Sequence, residues 1–355
     1  PDIQDLIEYA NNRAITIIPE IDLPAHARAL IYADPETFQN SQDKSQYISV
    51  QGYNDDVIPV CSYNQNGHFT NSMNEVIQDI ATMFNHQTTL YAENEVSVGG
   101  DEVAADAWTQ DPTCQDRLAW KDLSALDKSH YFFQLLSENL QNIKFSGWQQ
   151  TFQEDDGSFS PHKIGATHTA HAWAWEPTGN GQNQAGIKNA AALANNGYPT
   201  VLAFADDTYF DLTYSPNQWE PGFSWAGSFL DTESALRSAY DANQTEQLIE
   251  PSMQANLKGL EGALWSENLT NFRHLMYMAL PKLTGVADAG WSPASKTTAN
   301  NGAIDWQSLA TRLGDGKSGF LYYLNKISSI EYRGYPDGIN CDIPTKALSK
   351  NNLYI

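Results

Sequence analysis

Cysteine is scarce in this chain: Cys61, Cys114 and Cys341 are the only three among 355 residues. None stands in a CxxC or Cys/His pattern, so no zinc-type spacing is present, and at most one disulfide can form with one thiol left over. Basic residues are also few. Lys and Arg total 20 against 43 Asp and Glu, a formal net charge of −23. Nucleic acid and anionic membrane surfaces both call for clustered cations, and no such run occurs. No apolar stretch is long enough to span a bilayer. There is no internal repeat, and no glycine-rich phosphate turn follows the first strand-like segment, which argues against a doubly wound nucleotide-binding sheet.

What is present is an alternation of helical and strand-like periodicity. Helical spacing over Ile3–Ala10 leads into a strand-like Ala14–Ile18. Helices are expected over Asn71–Asn85, Ser124–Asn142, Ala185–Asn196, Glu246–Asn256 and Phe272–Leu283. Strands are expected at Glu95–Val98, Lys144–Trp148, Lys163–Trp173, Thr200–Ala205 and Gly259–Trp265. Parallel βαβ units follow from that order. Each strand ends in a polar or aromatic cluster, the pattern of a (β/α)₈ TIM-type barrel, whose chemistry sits at strand C-termini. Residues 1–292 read as the barrel domain and 293–355 as a C-terminal helical tail, with one amphipathic stretch at Ile304–Ile327.

Val96-Ser97-Val98-Gly99-Gly100-Asp101-Glu102 is the most informative segment. A strand ends in two glycines, which let backbone approach a ligand closely. Two adjacent carboxylates follow, and like charges this close drive their protonation apart, so one can stay ionised while the other serves as an acid. Taken alone, the pair could equally be acidic residues at a helix start.

Four motifs in order carry a family resemblance. Gly99-Gly100-Asp101-Glu102 resembles the signature of glycoside hydrolase family 20, the β-N-acetylhexosaminidases, and chitobiases in particular. Ile17-Ile18-Pro19-Glu20-Ile21-Asp22-Leu23-Pro24-Ala25-His26 is similar to the family's preceding strand and loop. Tyr209-Phe210-Asp211 matches its Tyr-x-Asp, and Trp265-Ser266-Glu267 its Trp-x-Glu. The resemblance implies a retaining, exo-acting enzyme on N-acetylhexosamine-containing oligosaccharides, working through an oxazolinium intermediate made by the substrate's own acetamido group. It implies Glu102 as general acid and base, Asp101 and Tyr209 as the residues that hold the acetamido group, and Trp148, Trp173, Trp225 and Trp265 as sugar-facing walls. Trp175, two residues beyond Trp173, is the alternative wall. Asp211 and Glu267 would accept hydrogen bonds from sugar hydroxyls, with His26 and Asp22 supporting the catalytic carboxylates. No metal and no cofactor are expected.

Two departures stand out. Ser97 occupies a position where the family has His or Asn, so a hydrogen bond behind the acid is lost or replaced. The first two barrel strands, with a substrate-clamping Arg, have no counterpart here, and neither Arg13 nor Arg28 lies in an equivalent context. The chain therefore reads as strands 3–8 of the barrel, with a preceding segment or a second polypeptide expected to supply the front. A secreted or periplasmic bacterial location is the accompanying expectation. The rival reading is a carbohydrate-binding, catalytically idle hexosaminidase-like module.

Overall fold

The computed structural model describes residues 2–61, 75, 77–78, 95–116, 121–140, 143–154, 157–159, 169–179, 184–216, 219–227, 229–292, 305–314, 319–330 and 332–333. They form two compact units. The first runs to Trp173 and takes in Asn196–Pro199; the second takes in Ala174–Asn195 and the chain from Thr200 onward. Among the described residues no helix is long and apolar enough to cross a membrane.

In the first unit four strands pair in parallel: β1 (Glu20–Leu23), β2 (Glu95–Gly99), β3 (Lys144–Trp148) and β4 (Thr169–Ala174). All five residues of β2 are buried, as expected of a strand covered on both faces. The register sets Glu20 opposite Ser97, Ser97 opposite Ser146 and Ser146 opposite His171, a polar layer across the strands. Two residues on, Trp148 lies opposite Trp173 at the C-terminal ends. Helix α1 (Asp2–Asn11) buries Ile7 and Ala10. Helix α2 (Ala125–Asn139) begins at Ser124, whose hydroxyl accepts from the Asp127 amide at 2.9 Å, a serine N-cap.

The strand expected at Ala14–Ile18 is not formed. Ala14 takes φ +56° in the turn that ends α1, Ile15 is exposed, and pairing starts only at Glu20. Apolar β-branched residues without a ladder partner do not make a strand, and that information is absent from periodicity. The helix expected over Asn71–Asn85 lies outside the described residues apart from 75, 77 and 78, as do 163–168 of the expected fourth strand.

The second unit contains β5 (Thr200–Leu202) and β6 (Leu257–Leu260), paired in parallel, with α3 (Ala185–Asn195) before β5. Where a helix was expected over Glu246–Asn256, the chain instead forms α4 (Thr232–Leu248). Asp231 caps it, accepting from the Ser234 amide at 2.8 Å. Its inward face includes Ala235, Ser238, Asp241 and Thr245, small or polar residues that leave no apolar stripe to read. The closing helix also differs. It stops at Ala279 (α5, Phe272–Ala279), and after Leu280-Pro281 a new helix, α6 (Lys282–Trp291), begins.

Helix α6 packs tightly on α4. A Cβ on Gly285 would meet the Thr232 carbonyl oxygen at 2.5 Å and the Leu236 nitrogen at 2.8 Å, so only glycine permits this approach. Helices α7 (Trp306–Gly314) and α8 (Phe320–Ser328) bring Leu309, Leu313 and Leu321 into a core with Leu236, Leu280 and Ala289.

Candidate active site

The turn after β2 is built for close approach. Gly99 and Gly100 have φ of +65° and +87°, and a Cβ on Gly100 would lie 1.9 Å from Thr151 Oγ1. Thr151 in turn donates to the Gly99 carbonyl at 2.9 Å. Beyond the glycines, Glu102 is itself left-handed at φ +53°, as is His26. Such a conformation costs a non-glycine residue about 1–3 kcal/mol and is held only where surroundings impose it. Here the two strained residues meet: His26 Nε2 lies 3.2 Å from Glu102 Oε2 and 3.7 Å from Asp101 Oδ2.

Electrostatics tie this group together. Burial raises the Asp101 carboxyl to about 6, with His26 opposing and Glu102 adding to the shift. Burial, then Glu20 and Asp101, push Asp22 to about 7. Burial disfavours a charged His26, yet the hydrogen bond to Glu102 and the charges of Asp101, Glu102 and Asp22 carry it up to about 9. At neutral pH the imidazole is thus protonated and lies beside an ionised Asp101, with Glu102 within hydrogen-bond distance. Ser97 donates its hydroxyl to Glu20, which is hydrogen-bonded to Asp22 in turn, a Ser97–Glu20–Asp22 chain. Trp148 and Trp173 pack against each other, centroids 5.8 Å apart, and both are buried.

The second unit holds an aromatic cage. Backbone pairing of Tyr209 with Ala263 sets the Tyr209 and Trp265 rings 5.6 Å apart. Trp175 lies 6.5 Å from Tyr209 in stacked orientation, and Trp225 sits edge-on to both at 6.0–6.1 Å. Trp225 reaches the cage because the chain folds back: Phe223 donates to the Asp211 carbonyl at 2.9 Å, and Thr213 to that of Phe223 at 2.8 Å. Gly222 permits this, since its Cβ would meet the Asp211 oxygen at 2.7 Å. Trp225 is half exposed. Asp211 is buried, with Oδ1 unpartnered among the described residues. Burial raises its carboxyl to about 6 and Glu267 adds to this, while a backbone hydrogen bond from its own residue, the charge of Lys282 and a backbone hydrogen bond from Trp265 oppose it. Glu267 is exposed.

With this geometry in place, comparison with known proteins is decisive. The family model "Glycosyl hydrolase family 20, catalytic domain" matches residues 1–294. The chain belongs to glycosyl hydrolase family 20. A beta-hexosaminidase of Vibrio furnissii is 29% identical over 296 residues, 81% of this chain and 42% of that protein. N,N'-diacetylchitobiase of Vibrio harveyi is 25% identical over 82% of this chain and 39% of its own length. Among solved structures, a GH20 exo-β-N-acetylglucosaminidase from Vibrio harveyi, in complex with N-acetylglucosamine, superposes with TM-score 0.71 at 27% identity. That match covers 94% of this chain and 45% of the other. The chain therefore spans less than half the length of these relatives. The fold class is the α/β, TIM-barrel type of family 20, with six parallel strands among the described residues.

Of the residues singled out in the sequence, Asp22, His26, Asp101 and Glu102 come together in the first unit. Tyr209, Trp225 and Trp265 come together in the second, with Asp211 and Glu267 beside each other. Trp173 packs beside Trp148 and His171, whereas Trp175 stands by Tyr209. Side chains alternate along an extended chain, so the choice between Trp173 and Trp175 depended on where extension ends, which periodicity does not fix. Expecting no metal rested on spacing along the chain. In space, His26–Asp101–Glu102 and Asp127–His130–Glu154 each gather three ligand-type atoms within 4.8 Å of one another. In the first group the imidazole already carries a proton at neutral pH, which suits a hydrogen-bond donor better than a ligand.

Proposed function

We propose that this family 20 chain carries the catalytic residues of an exo-acting, retaining β-N-acetylhexosaminidase that removes terminal N-acetylglucosamine from chitin oligosaccharides or related glycans. The observation that carries the reading is the adjacent Asp101–Glu102 pair at the end of a buried strand, braced by a protonated His26.

In this mechanism the acetamido carbonyl oxygen attacks the anomeric carbon as the glycosidic C–O bond breaks. The Glu102 proton passes to the departing oxygen. Water then attacks the anomeric carbon of the oxazolinium, gives its proton to the Glu102 carboxylate, and the ring reopens to the acetamido group. Asp101, ionised above about pH 6, accepts the acetamido N–H and balances the positive charge that develops. Tyr209 donates its hydroxyl to the acetamido oxygen; holding the internal nucleophile in line removes several kcal/mol of entropic barrier, about 7 or more in the best intramolecular cases. Trp265 and Trp175, rather than Trp173, wall the sugar, and Trp225 stacks on the next one, as the cage geometry favours. Asp211 and Glu267 accept from sugar hydroxyls. The order of the four motifs supports assigning these roles to one reaction.

We infer further that β1 is paired on its second edge by strands outside these residues. Among the described residues its one partner is β2, and Ile3, Leu6 and Tyr9 of α1 expose apolar surface. Arg28 is held by Asp55 at 2.7 Å and by the Tyr53 ring, so a substrate-clamping Arg would come with those strands. The Cys61–Cys114 disulfide supports a secreted or periplasmic location.

Glu102→Gln tests the reading. Turnover of glycosides with poor leaving groups should fall by roughly 10²–10⁴. For aryl glycosides whose leaving groups need no proton the loss should be much smaller. Equal losses on both would remove Glu102 from the acid role.

A further inference from the structure

Directly behind Asp211 lies a lysine that the mechanism does not use. Lys282, the first residue of α6, is completely buried. Its Nζ donates to the carbonyls of Phe210 at 2.8 Å and Leu212 at 2.5 Å, the two residues flanking Asp211. No carboxylate lies within salt-bridge distance of it among the described residues. Its remaining direction faces the Tyr214 ring, 3.8 Å from the centroid.

That ring is itself fixed. The Tyr214 hydroxyl donates to the carbonyls of Tyr277 at 3.1 Å and Met278 at 3.3 Å. Arg333 covers it at 4.5 Å from the centroid and bonds Glu220 at 3.0 Å. Lys282 is thus held by a braced ring while it grips both sides of one residue. An apolar side chain in its place would fill the space and leave two carbonyls without donors.

We propose that Lys282 is the positioning residue for Asp211: by clamping the carbonyls on either side, it aims the unpartnered Asp211 Oδ1 at a hydroxyl of the bound sugar. The inference rests on the reading of Asp211 as a hydroxyl acceptor. Lys282 touches no substrate; it acts through the backbone of Phe210–Leu212, and its effect belongs to binding more than to bond breaking. It therefore tunes which sugar is accepted, because a displaced carboxylate no longer distinguishes a hydroxyl in the right orientation from its absence.

The experiment is a cycle of Lys282→Met, Asp211→Ala and the double variant. Each is assayed on an aryl N-acetylglucosaminide and on its 4-deoxy and 6-deoxy forms, with folding checked by circular dichroism and melting. Lys282→Met should raise KM for the parent glycoside about tenfold and leave kcat within about threefold. That penalty should shrink to less than about twofold on the deoxy sugar lacking the hydroxyl Asp211 accepts, and in the Asp211→Ala background. A penalty that persists unchanged in both overturns the role of Lys282 alone. An Asp211→Ala variant that loses nothing on the parent glycoside overturns the hydroxyl reading and this inference with it. If Lys282→Met does not fold, Lys282→Gln, which keeps one donor, is put through the same cycle. Failure of both to fold makes the lysine structural, and the inference falls.

Discussion

His26 stands beside Glu102 and Asp101, 3.2 Å from the first and 3.7 Å from the second, and its charge acts on the Asp101 carboxyl. Its folded value of about 9 lies above the ordinary 6.5. The folded chain therefore keeps this proton to higher pH than the unfolded chain does. Stability from His26 is complete below about pH 6.5 and is lost as pH rises through about 9. Its cation also holds Asp101 down against burial. His26→Gln should then do two things. The acid limb of kcat/KM, set near pH 6 by Asp101 in the free enzyme, should move to higher pH, and the decline of melting temperature between pH 6.5 and 9 should flatten. A pH–rate profile and a melting series on wild type and variant check this; an unmoved acid limb removes His26 from the site. Single residues of this kind were legible in the sequence because motifs name them. Their supports were not: Ser97 reaches Glu20 only through strand pairing, and Lys282 reaches Asp211 across 71 positions of chain, 282 − 211.

Elements were legible where their own residues decide them. Strand β2 is apolar and stopped by two glycines, and α2 carries its own serine cap. They were misread where a neighbour decides. Ile15 and its surroundings have no strand partner among the described residues, and α4 turns small and polar residues inward against glycine-permitted contacts with α6. The Gly99–Gly100 turn joins both cases, since the sequence shows the glycines and only the fold shows Thr151 above them. Gly100→Ala meets two costs, a positive φ and a Cβ 1.9 Å from Thr151 Oγ1. Gly52 has a similar φ of +85° with nothing within 4 Å of a Cβ. Gly52→Ala should therefore lose about 1 kcal/mol, the left-handed term alone. Gly100→Ala should lose at least about 2 kcal/mol, because overpacking adds its own cost. Urea midpoints compared at constant slope decide it: equal losses would mean that Thr151 yields freely and does not fix the turn.

Across the whole chain the dominant feature is charge. With 43 acidic and 20 basic residues, pairing every Lys and Arg would still leave 23 carboxylates, 43 − 20, with no cationic side chain. Unpaired like charge on a compact surface repels itself and weakens the folded state relative to an expanded one. The repulsion reaches about 30 Å at 0.01 M salt and about 3 Å at 1 M, so sodium chloride should screen most of it. Melting temperature at pH 7 should climb by several degrees between 0.02 and 0.5 M salt, and the gain should shrink near pH 5 as carboxylates take up protons. Catalysis should respond differently. A neutral N-acetylhexosamine glycoside has no net charge to steer, so kcat/KM should stay within about twofold over the same range of salt. Differential scanning calorimetry and initial rates on matched samples read both quantities. A melting temperature that stays flat or falls would show that the acidic surface is already neutralised by the fold. A kcat/KM that changes with the salt while folding is saturated would mean that the substrate carries charge, against the neutral oligosaccharide proposed here.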